Sequence, residues 1–250
     1  MLTKAIAKHI KELHEKKHRA EYGEFLVEGE KNVAELLNSD FVITSLFVTR
    51  DFENNYRPLI QKTKINYSIV EQAELEKSGT LESNNAAIAI VQQKKNEVFD
   101  STSLEANEII LALDDVRDPG NLGTIIRIAD WYGIQKIICS ETTTDFYNSK
   151  TISATRGSFT RVTVFYTDLT NFLKSSPVPV LGAFLEGENV HTTKFPISGI
   201  LLVGSESHGI SATLSEIVKQ RITIPQYGDA ESLNVSVATA IILDNWKRNF

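Results

Sequence analysis

The sequence predicts an α/β fold in two parts: a parallel-sheet domain preceded by a smaller α/β domain. Three observations carry this. Runs such as "IILAL" (109–113) and "ILLVG" (200–204) are apolar without alternation, which marks strands covered by helices on both faces and hence a parallel sheet. These runs alternate with segments of helical period. The texture changes across the polar stretch "QKKNEVFDSTSLEAN", 93–107, which reads as a linker. The division is therefore a small α/β domain over 1–92, a linker over 93–107 and a larger domain over 108–250.

In the first part the order is a basic helix, the strand "FLVE", the helix "KNVAELLNS", the strand "SLFVT", a helix around "YRPLIQKTK", the strand "NYSIV", a short helix "EQAELEKS" and the strand "AAIAIVQ". The second part runs through "EIILALDDV", "NLGTIIRIADWYG", "KIICS", "NSKTISATRG", "RVTVFY", "DLTNFLKS", "VPVLGAFL", "GILLVGSE", "SATLSEIVKQ" and "ITIP" to a last helix. In parallel sheets ligands gather beyond the carboxyl ends of strands, so the loops after "ALDDV", "LLVG" and "ITIP" are where chemistry is expected.

Bulk properties exclude several classes. A hydrophobic share of 42% with 23% charged residues is ordinary for a globular chain. No apolar run approaches the roughly 18 residues that span a bilayer, and the charged N-terminus is no secretory signal, so the reading is cytoplasmic. The single cysteine, Cys139, rules out an intrachain disulfide and a cysteine-built metal site, and reads as an inert strand thiol. A net charge of −6 argues against unspecific nucleic-acid binding. Residues 1–20 nevertheless hold six basic groups, Lys4, Lys8, Lys11, Lys16, Lys17 and Arg19, against Glu12 and Glu15. A solvated basic face and an RNA-phosphate contact are both open there. His14 and His18 share a helical face as a metal pair would, but nothing completes a ligand set.

Three loops stand out. In "DDVRDPGNLGTIIRIAD" a bland account has Asp118-Pro119-Gly120 turning, Asn121 capping the next helix and Gly123 allowing close packing. It leaves Arg127, inside the apolar "IIRIA", unexplained; a semi-buried arginine needs an anion or a carboxylate. The loop "VGSESHGIS" offers Glu206 as that partner. Its glycines, Gly204 and Gly209, resemble a phosphate cradle only superficially, since Ile210-Ser211 stands where a P-loop needs Lys-Ser or Lys-Thr. In "IPQYGDAESLNVSVA" Ser232 taken alone reads as an N-cap. Asn234, at the second position of an otherwise apolar helix, gains little from the cap and should not be buried without partners.

Together, "DPGNLGTIIRIADWYG", "LLVGSESHGIS" and "ITIPQYGDAESLNVSVATAI" resemble the three motifs of the SpoU/TrmH-type RNA ribose 2′-O-methyltransferases of the SPOUT superfamily, over about residues 108–250. The front segment "KKHRAEYGEFLVEGEKNVAELL" is more loosely similar to the ribosomal-protein-like substrate-binding domain that many members carry. The resemblance implies a deep C-terminal trefoil knot, an exception to unthreaded chains. It also implies a homodimer whose active site draws on both subunits, and bent S-adenosylmethionine held mainly by backbone groups of the knot loops, with Gly204, Ile224 and Leu233 lining the methyl donor. Asn121, Arg127, Glu206, Ser232 and Asn234 fall at the positions of the catalytic set. Arg127 would clamp the target phosphate and stabilise alkoxide charge, oriented by Glu206. The implied partner is RNA, ribosomal rather than transfer RNA, with no metal and no membrane; an RNA-binding protein without chemistry is the rival reading. Gln226 stands where members usually have methionine, and Thr155 and Ser158 replace the more usual serine and alanine.

Overall fold

The computed structural model describes residues 2–95, 99, 104, 107–248 and 250; most of the expected linker lies outside the described residues. The chain divides into two compact units, one formed by residues 1–95 with 145–160, the other by residues 96–144 with 161–250.

In the first unit α1 (Lys4–Glu12) and α2 (Lys16–Tyr22) lead into β1 (Glu24–Glu28), α3 (Glu30–Leu37), β2 (Ile43–Val48), α4 (Arg50–Thr63), β3 (Tyr67–Ile69), α5 (Gln72–Ser78) and β4 (Ala87–Gln92). The strands form a mixed sheet in the order β1-β4-β2-β3, with β4 antiparallel to both neighbours and β3 parallel to β2. Ile10 and Leu13 seat α1 against Leu26, Phe47, Leu75 and Ile88. Each such buried side chain contributes about 1.5–3 kcal/mol.

The single basic helix expected at the N-terminus is two helices, and Arg19 is the reason. Its side chain is buried, at 2% exposure. Nη1 donates to the Leu13 and His14 carbonyls, at 2.9 and 2.7 Å, which lie where α1 stops. Nη2 and Nε donate to Asp145 Oδ2 at 2.7 and 3.2 Å. Arg19 is thus a structural cation and leaves the lysines of α1 and α2 as the exposed charge. His14 turns a buried Nε2 inward without a partner among the described residues, and burial lowers its pKa. His18 instead faces Glu21, at 3.2 Å, and stacks on Tyr22.

Asp145 belongs to a segment of this unit that follows β6 in the chain. It comprises α7 (Ser149–Thr155) and a short 3-10 turn (Ser158–Thr160). Tyr147 packs on Phe25, and Phe159 on Phe25 and Phe41. Gly157, at φ +99°, lets the chain pass Glu35: a Cβ there would stand 2.3 Å from Glu35 Cγ. Glu28, at 4% exposure, receives the Thr80 amide and hydroxyl and the Leu81 amide, fixing the approach to β4.

The second unit holds β5 (Ile109–Leu113), α6 (Pro119–Trp131), β6 (Lys136–Cys139), β7 (Thr163–Tyr166), α8 (Leu169–Ser175), β8 (Val180–Asn189), β9 (Gly199–Val203), α9 (Ala212–Ser215), β10 (Gln220–Thr223) and α10 (Val235–Lys247). Its six strands pair in the order β10-β8-β9-β5-β6-β7, every pair parallel. β5 and β9 are buried throughout, as their unalternating runs predict. Cys139 is fully buried at the end of β6, where desolvation pushes its thiol pKa up. The helix expected over "SATLSEIVKQ" is only the four residues of α9. α10 packs on α6; its Trp246 is fully buried, stacks on Phe195 and donates to the Pro196 carbonyl at 2.8 Å.

The Arg19 fork gives a test of the first unit. Arg19→Ala leaves the Asp145 carboxylate and two carbonyls without their donor, and the expected loss is about 3–5 kcal/mol in urea unfolding. Arg19→Lys recovers only a fraction, because an ammonium cannot reproduce the planar fork.

Candidate active site

Strand order places the site. β5 runs on to β6 and β7 on one side, while β9 and β8 lie on the other, so the direction of winding reverses between β5 and β9. Crevices form beyond the carboxyl ends of strands at such a switch point. The loops that begin there are the first two expected from the sequence, and α10 brings the third.

After β5, the N-cap of α6 is Asp118, whose Oδ1 accepts from the Asn121 amide at 2.8 Å, with Pro119 in the first turn. Asn121 is therefore not the cap, and its side chain is free for other work. Asp-Pro at a helix start was the available signal. After β9, Gly204 passes directly under the returning loop. A Cβ there would lie 2.0 Å from Gly209 C and 2.2 Å from the Ile210 nitrogen, so only glycine fits. The loop closes through Ser205 N to Gly209 O at 3.1 Å and Gly209 N to Ser205 O at 2.9 Å. Its far end is pinned when the Ser211 amide donates to Asp114 Oδ2, at 2.8 Å, from the end of β5.

α10 begins at Val235, and its N-cap is Asn234, not Ser232. Asn234 Oδ1 accepts from the Ser236 and Val237 amides at 2.9 and 3.4 Å. Ser232 lies in the exposed chain before the helix, with no hydrogen bond among the described residues. A cap is decided by which oxygen reaches the first-turn amides, and Asn234 wins by two positions.

The three loops meet at Asn121. Its Nδ2 donates to Glu206 Oε1. Its Oδ1 accepts from Asn234 Nδ2 at 2.9 Å and from Ser236 Oγ at 3.3 Å, and its carbonyl lies 3.2 Å from the same hydroxyl. The orientations are mutually enforced, since a carboxylate accepts only and Asn234 Oδ1 is committed to the helix amides. Asn121, Glu206 and Asn234 are thereby brought together. Ser236, 3% exposed, is a member to which the sequence reading of the polar first turn of α10 gave no role, and Asp114 is a member it did not name. Ser236 was visible as polarity in an apolar helix, whereas Asp114 carried no signal apart from its place at a strand end.

Arg127 departs from expectation. It is exposed and forms no ion pair among the described residues, and Glu206 is held by Asn121 instead. Six residues past Asn121, at roughly 100° per residue, it lies about 240° around α6. There it joins an exposed stripe with Thr124 and Trp131, the latter 84% exposed. Beside the junction, Arg117 Nε donates to Asp115 Oδ1 at 2.9 Å and holds that carboxyl below its usual pKa.

The main-chain groups expected to line the methyl donor are open to a ligand. No hydrogen bond among the described residues engages the main chain of Gly204, Ile224 or Leu233, and these stand after β9, after β10 and before α10. No group of three or more His, Cys, Asp or Glu able to hold a metal occurs among the described residues. No described helix is long and apolar enough to cross a membrane.

Comparison with known proteins accords with this geometry. The SpoU rRNA Methylase family matches residues 108–244 and the MRM3-like substrate binding domain residues 4–89. The chain is 31% identical to the 23S rRNA (guanosine(2553)-2′-O)-methyltransferase RlmP of Bacillus subtilis, over 93% of this chain and 92% of that one. Among solved structures, an AdoMet-bound rRNA methyltransferase from Sinorhizobium meliloti superposes with a TM-score of 0.86 at 30% identity, covering 99% of this chain and 96% of the other. A TrmH-family protein from Porphyromonas gingivalis gives 0.85 at 29% identity, with full coverage of both. The residues matched by the family model include the three loops that meet at Asn121, and the chain belongs to the SpoU rRNA methylase family.

Proposed function

We propose that this protein transfers a methyl group from S-adenosylmethionine to a ribose 2′-hydroxyl of ribosomal RNA, in the cytoplasm. Residues 1–92 hold the RNA and residues 108–250 carry the chemistry. The observation that carries the reading is the junction of Asn121, Glu206 and Asn234 at the β5/β9 switch point. The similarity to the Bacillus subtilis ribosomal RNA enzyme over both parts of the chain favours ribosomal over transfer RNA.

The methyl donor supplies an electrophilic carbon on a sulfonium. When bound, the donor would pass its methyl group to the ribose oxygen, the C–S electrons remaining on sulfur and the hydroxyl proton going to solvent. What the chain must do is orient the sugar and stabilise the oxygen as it gains charge. Asn121, Asn234 and Ser232 hold the nucleotide, and Glu206 fixes the Asn121 amide. Gly204, Ile224 and Leu233 offer main-chain groups to the donor. Arg127 clamps the target phosphate and offsets the developing alkoxide; it is no general base, because a guanidinium stays protonated.

The exposure of Arg127 supports a homodimer through α6 and α10, in which Arg127 reaches the junction of the partner subunit. Trp131 lies one turn further along the same stripe, and Val237, 47% exposed, lies on α10. The packing of α10 on α6 also accords with a C-terminal segment threaded as a trefoil knot.

Four outcomes test this. With labelled S-adenosylmethionine and unmodified ribosomal RNA, label should appear on ribose, read as resistance to alkaline cleavage; label on a base refutes the reaction class. Arg127→Ala should abolish transfer and leave donor binding by calorimetry within a few fold, while Gly204→Ala should weaken donor binding at least tenfold because the returning backbone must shift. Trp131→Glu should convert a sedimenting dimer to monomer and remove activity with it; activity in a monomer would refute the shared site.

A further inference from the structure

Tyr227 is 93% exposed and takes part in no ring contact or hydrogen bond among the described residues. A lone exposed aromatic is unremarkable by itself. This one is held in place by its neighbour. Gln226 Nε2 donates one hydrogen to the Gly228 carbonyl at 2.6 Å and the other to the Ala230 carbonyl at 3.0 Å. The turn 226–230 is thereby folded around a single amide, with Tyr227 on its outer face. The turn bridges β10 and α10, and Tyr227 precedes Ser232 by five residues, a span of at most about 18 Å when extended. It lies on the segment that leads into Asn234, the junction residue seven positions further on.

The surrounding charge selects the part of a nucleotide that the ring can meet. Asp229 and Glu231 follow Tyr227, both exposed, and they repel phosphates. A base carries no such charge and presents a π-face to an aromatic ring. RNA-binding proteins commonly hold unstacked bases in this way.

We propose that Tyr227 is a base-stacking residue that holds a nucleobase of the substrate RNA beside the methylated ribose, with Gln226 as the positioning residue that stiffens its turn. This rests on the RNA methyltransferase reading above and adds a contact that sets RNA affinity rather than chemistry. A ring presented on a pre-folded turn loses little freedom when it stacks, which gives the Gln226 staple its use.

The test compares Tyr227→Ala, Tyr227→Phe and Gln226→Met with the unaltered protein, using 23S ribosomal RNA transcribed in vitro. Tyr227→Ala should raise the KM for RNA about 5- to 100-fold, with kcat at saturating RNA and S-adenosylmethionine affinity by calorimetry unchanged. Tyr227→Phe, which keeps the ring, should retain the original KM. Gln226→Met should give an intermediate KM with the same kcat. An unchanged KM in Tyr227→Ala, a kcat loss without a KM change, or a shift to monomer in sedimentation would overturn the proposal; the last would show that the ring meets a second copy of the chain. Failure of the unaltered protein to methylate any ribose would instead overturn the underlying reading, so the two failures are distinct.

Discussion

The Asn121 side chain imposes a direction on the site. An amide has one donating and one accepting end, and Glu206, which only accepts, fixes which end faces which way. The accepting end then requires a donor from Asn234, whose own oxygen must turn toward the α10 amides. The orientation of one carboxylate is thus transmitted through two amides to the start of a helix. Ser236 reinforces it by reaching both oxygens of Asn121. Such a network is worth most when every member is satisfied and costs most when one is lost.

That network can be held still because of what lies behind it. α6 and α10 pack on one another and carry the capped turns at their starts, while Ala129 of α6 and Trp246 of α10, near the other ends, are fully buried. On the sheet side, Gly204 allows the loop after β9 to fold back with atoms closer than any Cβ would permit, and Asp114 ties the end of that loop to β5. Placement therefore comes from backbone contacts and caps, and the polar side chains need only complete it. A small exposed site on a rigid base suits a macromolecular substrate, which must approach from outside and find its groups already oriented.

The fold was legible where pattern is dictated by burial. "IILAL" and "ILLVG" are apolar throughout because both faces of β5 and β9 are covered, and the parallel sheet follows. The three loops were legible because polar residues sat where apolar ones would pack. Caps were legible only in part: Asp-Pro marks Asp118 as the start of α6, whereas Ser232 and Asn234 are chemically equal candidates two residues apart, and only the path of the chain decides which oxygen meets the amides. Nor was the break between α1 and α2, which depends on Asp145, 126 residues from Arg19. The "IIRIA" run suggested a semi-buried Arg127, but a three- and four-residue spacing through Thr124 and Trp131 was also present and marks an exposed stripe.

Arg19 is a structural charge in this chain, and Arg127 is the charge proposed to act on the substrate. A guanidinium taken out of water is tolerable only with acceptors of its own, and Arg19 has them in Asp145 and two carbonyls. Arg127 has none among the described residues, stays in water, and gives up no desolvation energy while it waits. In the proposed reaction that charge is the one offered to the anion of the substrate. An internal carboxylate partner, which the sequence suggested in Glu206, would have competed with that anion for the same guanidinium. With Glu206 engaged by Asn121, the acid organises the neutral half of the site and leaves the cation unquenched. Both roles require the two charges not to be paired with each other.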